Sequence, residues 1–124
     1  MSQLEVGTGR TRVRLTWRRH GKDLHVHIGG RGDHIGAVAL AGRADDGDPY
    51  AQTLRIPPHK EEQLALAAAG KLHAATGVRV CVTAGIHLDG ITRAEIAAIT
   101  QNAEAGIEQL VGMLPRPGNH AEPR

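Results

Sequence analysis

The chain has 124 residues, 40% of them hydrophobic, and a formal net charge of +2 with its 8 histidines neutral. That length and composition fit one globular domain rather than a disordered chain. The charge is too mild to imply nucleic acid, and one Trp, one Tyr and no Phe leave no platforms for base stacking. No stretch approaches the roughly 20 apolar residues of a membrane span. The opening "MSQLEVGTGR" lacks the apolar run of a signal peptide, and the lone Cys81 cannot form an internal disulfide. A cytoplasmic protein without membrane or nucleic-acid partners is therefore expected, its core packed from Ala, Val, Leu and Ile.

Residues 1–9 read as a loose segment. From Thr11 the chain alternates, with Thr11, Val13, Leu15 and Trp17 on one face and Arg12, Arg14, Thr16 and Arg18 on the other. Period two predicts a half-buried strand. "RHGKD" turns at Gly21, and "DLHVHIG" alternates again, Leu24, Val26 and Ile28 against His25 and His27. The two runs predict an antiparallel hairpin whose outer face is rich in Arg and His. Such a face can bind oxyanions, but exposed strand faces are commonly charged.

"HIGAVALAG" does not alternate. It predicts a strand covered on both faces, either central or turned toward a second subunit. "AQTLRI" is a fourth short strand, ended by Pro57 and Pro58. "HKEEQLALAAAGKLHAAT" predicts a helix with Leu64, Ala68, Leu72 and Ala75 inward. Glu61 and Glu62 suit its positive end, and Gly77 stops it. "VRVCVTAGI" is a further strand, in which Cys81 reads as a small buried hydrophobe. After the turn "HLDG" comes the longest helix, with Thr92 and Glu95 as a capping box and Ile96, Ile99, Ala103, Ile107, Leu110 and Leu114 as its stripe. The tail "PRPGNHAEPR" reads as disordered.

The order β-β-β-β-α-β-α predicts an α+β fold, a mainly antiparallel sheet with two helices, as one domain over 10–114 with flexible termini at 1–9 and 115–124.

Three loops carry the candidate chemistry. "GGRGDHIG" places Asp33 and His34 before the apolar strand, "IPPHKEE" places His59 and Lys60 before the first helix, and "TAGIHLDGIT" places His87 and Asp89 after the last strand. The first is neither a Walker loop nor a dinucleotide fingerprint, since no Gly-Lys-Ser/Thr is present and a strand follows. Its glycines fit a hairpin turn or a backbone that approaches a ligand. His34, His59, His87 and Asp89 lack the tight spacing of zinc ligands. No serine follows Ser2, so no Ser-His-Asp arrangement can be built, whereas acid–base work by His and Asp stays open.

"DHIGAVAL", "PPHKEEQLA" and "VTAGIHLDGIT", in that order, resemble the LpdD-like domain family, described as prenylated-flavin chaperones accessory to UbiD-type decarboxylases. The resemblance runs from about Arg12 to about Leu114 and is most specific in "HIGAVAL" and "GIHLDG". It departs at Pro58-His59-Lys60, where Gly-His-Lys is expected. It implies a dimerising fold similar to proteasome assembly chaperones, and a protein that holds prenylated FMN, or FMN, and hands it on. The binding residues would be Asp33, His34, Gly36, His59, Lys60, His87 and Asp89. The apolar wall would be Gly36, Ala37, Val38 and Ala84, and Lys60 or Arg31 would meet the phosphate. The competing readings are a metal-dependent enzyme using His34, His87 and Asp89, and a docking subunit with no small ligand.

Overall fold

The computed structural model describes residues 2–55 and 61–115. Six strands form one sheet: β1 (Ser2–Val6), β2 (Val13–His20), β3 (Asp23–Gly30), β4 (Ala37–Arg43), β5 (Pro49–Arg55) and β6 (Val80–Ala84). Two helices, α1 (Glu62–Thr76) and α2 (Arg93–Met113), complete the α+β fold. The sheet order is β1-β2-β3-β6-β4-β5, antiparallel throughout except for the parallel pair β3–β6.

The expected hairpin forms, with Thr16 opposite His27 and Leu15 opposite Ile28. One expectation fails at its outer edge. The first residues, read as loose, form β1, which lies antiparallel along β2 with Glu5 opposite Arg14. An unpaired edge of β2 would leave backbone donors and acceptors without partners, and β1 supplies them.

Alternation sends Val13, Leu15, Leu24, Val26, Ile28, Ala39, Val80 and Val82 to one face, where all are buried. Both helices cover that face, α1 over β4, β5 and β6 and α2 over β1 and β2. α1 buries Ala65, Ala68, Ala69, Leu72 and Thr76, so its inward stripe is turned slightly from the predicted one. Gly77 ends it in the left-handed region, φ 76°, with its N–H bonded to the His73 carbonyl. α2 starts on the predicted capping box and buries Ile99, Ala103, Gly106, Ile107 and Leu110. Gly106 lets α2 approach the sheet so closely that its Cα faces the Leu15 side chain.

Among the described residues, no helix covers the opposite face of the sheet. A continuous row crosses it from Thr16 through His27, Thr83 and Val38 to Leu54, and a second row runs Arg18, His25, Cys81, Leu40, Gln52. The expectation that β4 is covered on both sides is thus met on one side only. Ala37, Ala39 and Ala41 are buried, whereas Leu40 is 36% and its neighbour Leu54 on β5 74% exposed. No helix among the described residues is long and apolar enough to cross a membrane.

Candidate functional site

Because β3 and β6 are parallel, both end at the same edge of the sheet. The β3–β4 connection and the β6–α2 connection therefore leave side by side. They are stitched by backbone bonds: His87 N–H to the Arg31 carbonyl at 3.1 Å, His34 N–H to Gly85 at 3.4 Å and Gly36 N–H to Ala84 at 2.8 Å. Gly32 has φ 63°, and a Cβ there would strike the His87 carbonyl. Gly32 thus serves loop-to-loop contact within the chain. The N-terminus of α1 reaches the same edge, where Glu61 Oε1 lies 3.8 Å from His34 Nε2.

The sequence-predicted residues divide between two surroundings. His34 Nδ1 donates to the Gly32 carbonyl at 2.8 Å, which directs Nε2 toward Glu61. Asp33 turns the other way, onto the open face. Its Oδ1 accepts from His27 Nε2 at 2.7 Å, and His27 Nδ1 in turn accepts from the Thr83 hydroxyl at 2.6 Å. In a neutral ring the bond to the carboxylate puts the imidazole proton on Nε2 and makes Thr83 the donor. Gly36 is buried beneath the loops, Ala84 opens toward the helix side, and Val38 lies on the opposite face of the sheet. His87 and Asp89 pair at 3.2 Å and are both exposed. His59 and Lys60 lie outside the described residues.

Behind this edge is a cleft of about 280 Å³ between the sheet and the starts of both helices. Ile28, Leu64, Ile86, Ile91, Ile96 and Ile99 make its walls; Glu61 and Thr100 are its polar side chains. Ile96 is 50% and Ile91 40% exposed, an open apolar surface within an otherwise buried stripe. A groove of about 430 Å³ continues from it between α1 and α2, sharing Leu64 and Thr100. We place the site at the smaller cleft, because Glu61 and Leu64 of the second motif stretch and Ala84, Gly85, Ile86 and Ile91 of the third line it, with His34 of the first beside Glu61. Arg10 braces its rim, its guanidinium bonding the Asp89 carbonyl at 2.8 Å and the Glu95 carboxylate at 2.6 Å. Arg10 holds the Glu95 carboxyl below its usual pKa range.

Sequence reasoning missed Glu61 and the cleft isoleucines. Glu61 was absorbed into the helix-dipole argument, although it directly follows His59-Lys60. The outer Arg/His face was also only half read. Glu5 takes Arg14 at 2.9 Å and Arg12 at 3.8 Å, leaving Arg18 as its one arginine without an ion-pair partner among the described residues. Burial, followed by the nearby His20 and His27, pushes the pKa of His25 down. Burial pushes the Cys81 thiol up, away from thiolate chemistry. Among the described residues, no three His, Cys, Asp or Glu side chains gather as a metal site.

A helix-backed mixed sheet with an aliphatic cleft at the end of its parallel pair describes a small α+β domain. The chain belongs to the prenylated flavin chaperone LpdD-like domain family, whose model matches residues 7–114. Comparison with curated proteins gave no match.

Proposed function

We propose that the protein binds prenylated FMN at this cleft and delivers it to a UbiD-type decarboxylase, without catalysing a reaction itself. The observation that carries the reading is the convergence of the 31–36 loop, the 85–92 loop and the α1 start around an aliphatic cleft, in a chain of the prenylated flavin chaperone family. Its volume lies just under the roughly 300–1,000 Å³ of typical small-molecule sites, and the adjoining groove adds to the space open to a ligand. Aliphatic walls without an aromatic ring hold a flat ring system by area alone, which suits a carrier that has to release it. His34 and Gly36 would flank the ring, His87 and Asp89 the rim, and His59, Lys60 and Arg31 the phosphate, with Asp33 fixing the loop that presents them. Plain FMN would be a weaker ligand, because the prenyl-derived ring adds apolar surface to bury.

The protein would act in the cytoplasm as a homodimer, the second copy covering Val38, Leu40 and Leu54 on the open face. The metal-dependent alternative has no observation in its favour, since His34 turns to Gly32 and Glu61 while His87 pairs with Asp89.

Native mass spectrometry of protein purified without oxygen from cells making prenylated FMN tests the reading. A mass increment equal to that flavin is expected. A bare chain, or one carrying only a metal ion, overturns it.

A further inference from the structure

One group in the cleft is unexplained by the fold. Glu61 Oε2 is buried and meets no hydrogen-bond donor among the described residues. The cleft walls are aliphatic apart from Thr100, and His34 stands beside the carboxylate. A buried carboxylate oxygen without a donor is costly, and a polar atom left so in a folded chain calls for an explanation. Among the described residues, the Lys71 and Arg10 cations do not supply one. Lys71 is held by Glu108, and Arg10 is held by Glu95 and the Asp89 carbonyl. His34 Nε2 stands 3.8 Å from the other oxygen, beyond hydrogen-bond reach. A helix start gives the charge some support, but Glu61 lies at the N-cap position and its side chain makes no cap bond.

The missing partner must be an N–H or O–H donor, because an ionised carboxylate only accepts. It must also arrive with something flat or apolar enough to enter between isoleucines. A metal ion is disfavoured, as no third His, Cys, Asp or Glu joins Glu61 and His34 in a metal-holding group among the described residues. A hydrocarbon chain brings no donor.

We infer that Glu61 accepts the imide N–H of the flavin ring, and so decides which way round the ring is held. This rests on the flavin reading above. In the prenylated ring the imide edge carries one N–H between two carbonyls, at the far end from the methylated and prenylated edge. Seating that N–H on Glu61 leaves the apolar edge for Ile91 and Ile96. A turn about the last side-chain bond of Glu61 is enough to exchange its two oxygens. The ligand class is therefore a planar heterocycle with an unsubstituted imide, and a ring methylated at that nitrogen is excluded.

The test uses nitrogen-15-labelled prenylated FMN under anaerobic conditions, with binding measured for the native chain, Glu61→Leu and Glu61→Gln. In the native complex the imide proton is expected downfield and protected from solvent exchange. Glu61→Leu should lose that signal and weaken binding by about tenfold or more, the usual scale for a charge-assisted bond. Glu61→Gln, which keeps an acceptor oxygen, should retain the signal at intermediate affinity. It also serves as the readout should the leucine variant fail to fold. An unprotected imide proton in the native complex, or equal affinity across the folded variants, overturns the inference and leaves the carrier reading standing. A native chain that takes up no flavin overturns both.

Discussion

Asp33 reaches back over β3 to accept a hydrogen bond from His27 at 2.7 Å, and only the absence of a side chain at Gly29 leaves it room. A Cβ at Gly29 would strike the Asp33 carboxylate and crowd the His27 ring. The loop that carries His34 beside Glu61 is therefore fastened from the other side of the sheet.

Gly29→Ala should destabilise the fold by about 1–3 kcal/mol, as overpacking does. In the Asp33→Ala background the same change should cost clearly less, because the collision is gone. A double-mutant cycle from urea unfolding measures the difference. Strict additivity would show that the two residues do not share space.

His25 makes a pH prediction. Its folded pKa lies below the ordinary 6.5, first because of burial and then because of His20 and His27. The folded state thus disfavours the protonated ring. The stability in question is complete above the unfolded pKa and is lost as pH falls from about 6.5 through the lower folded value. The groups facing it on the open sheet are Arg18, His20, His27 and Cys81. Urea midpoints for the native chain should fall more steeply between about pH 7 and pH 5 than those of His25→Gln. Parallel curves would assign the dependence to other groups.

Ile96 and Leu110 lie on the same helix with opposite expectations. Ile96 is half exposed at the cleft, whereas Leu110 is fully buried. Ile96→Gln should shift stability by no more than about 0.5 kcal/mol, yet lower prenylated FMN affinity severalfold. Leu110→Ala should cost about 2–5 kcal/mol and leave the affinity of the remaining folded protein unchanged. Thermal melts and anaerobic binding titrations separate the two effects.

Leu54 is the most exposed of the large apolar side chains on the open face. If a second copy covers it, Leu54→Arg should shift the species seen by analytical ultracentrifugation from dimer toward monomer, with little change in the far-UV spectrum. A native chain that sediments as a monomer at micromolar concentration removes the homodimer from the proposal.

What the sequence disclosed follows the range of its signals. Thr92 and Glu95 are three residues apart, so the start of α2 was legible from local chemistry. The β2–β3 hairpin was legible because alternation and Gly21 lie in one short stretch. β1 was not, since "SQLEV" is too short to show a period and owes its form to the free edge of β2. Nor was the parallel pairing of β3 with β6, whose partners Val26 and Val82 are far apart in the chain. The site was half legible for the same reason. The three His-bearing loops stood out as loops, but their division between the cleft and the open face depends on register. His27 could be placed on the outer face, yet nothing in the sequence brought Asp33 to it.

The position of β6 has a consequence for how the chain comes to exist. β6 separates two ribbons, β1-β2-β3 on one side and β4-β5 on the other, and bonds to both. Synthesis from the N-terminus makes both ribbons before Val80 is added, so a nascent chain carries two raw edges, on β3 and on β4, with nothing between them. Non-local pairing of this kind is slow, because the chain must close a long loop before any bond rewards it. The cleft floor at Ile28 and Ala84 comes into being only when that gap is filled. A ribosome-bound fragment ending near Gly77 should thus be sticky and lack the cleft, which forms only once the rest of the polypeptide is added.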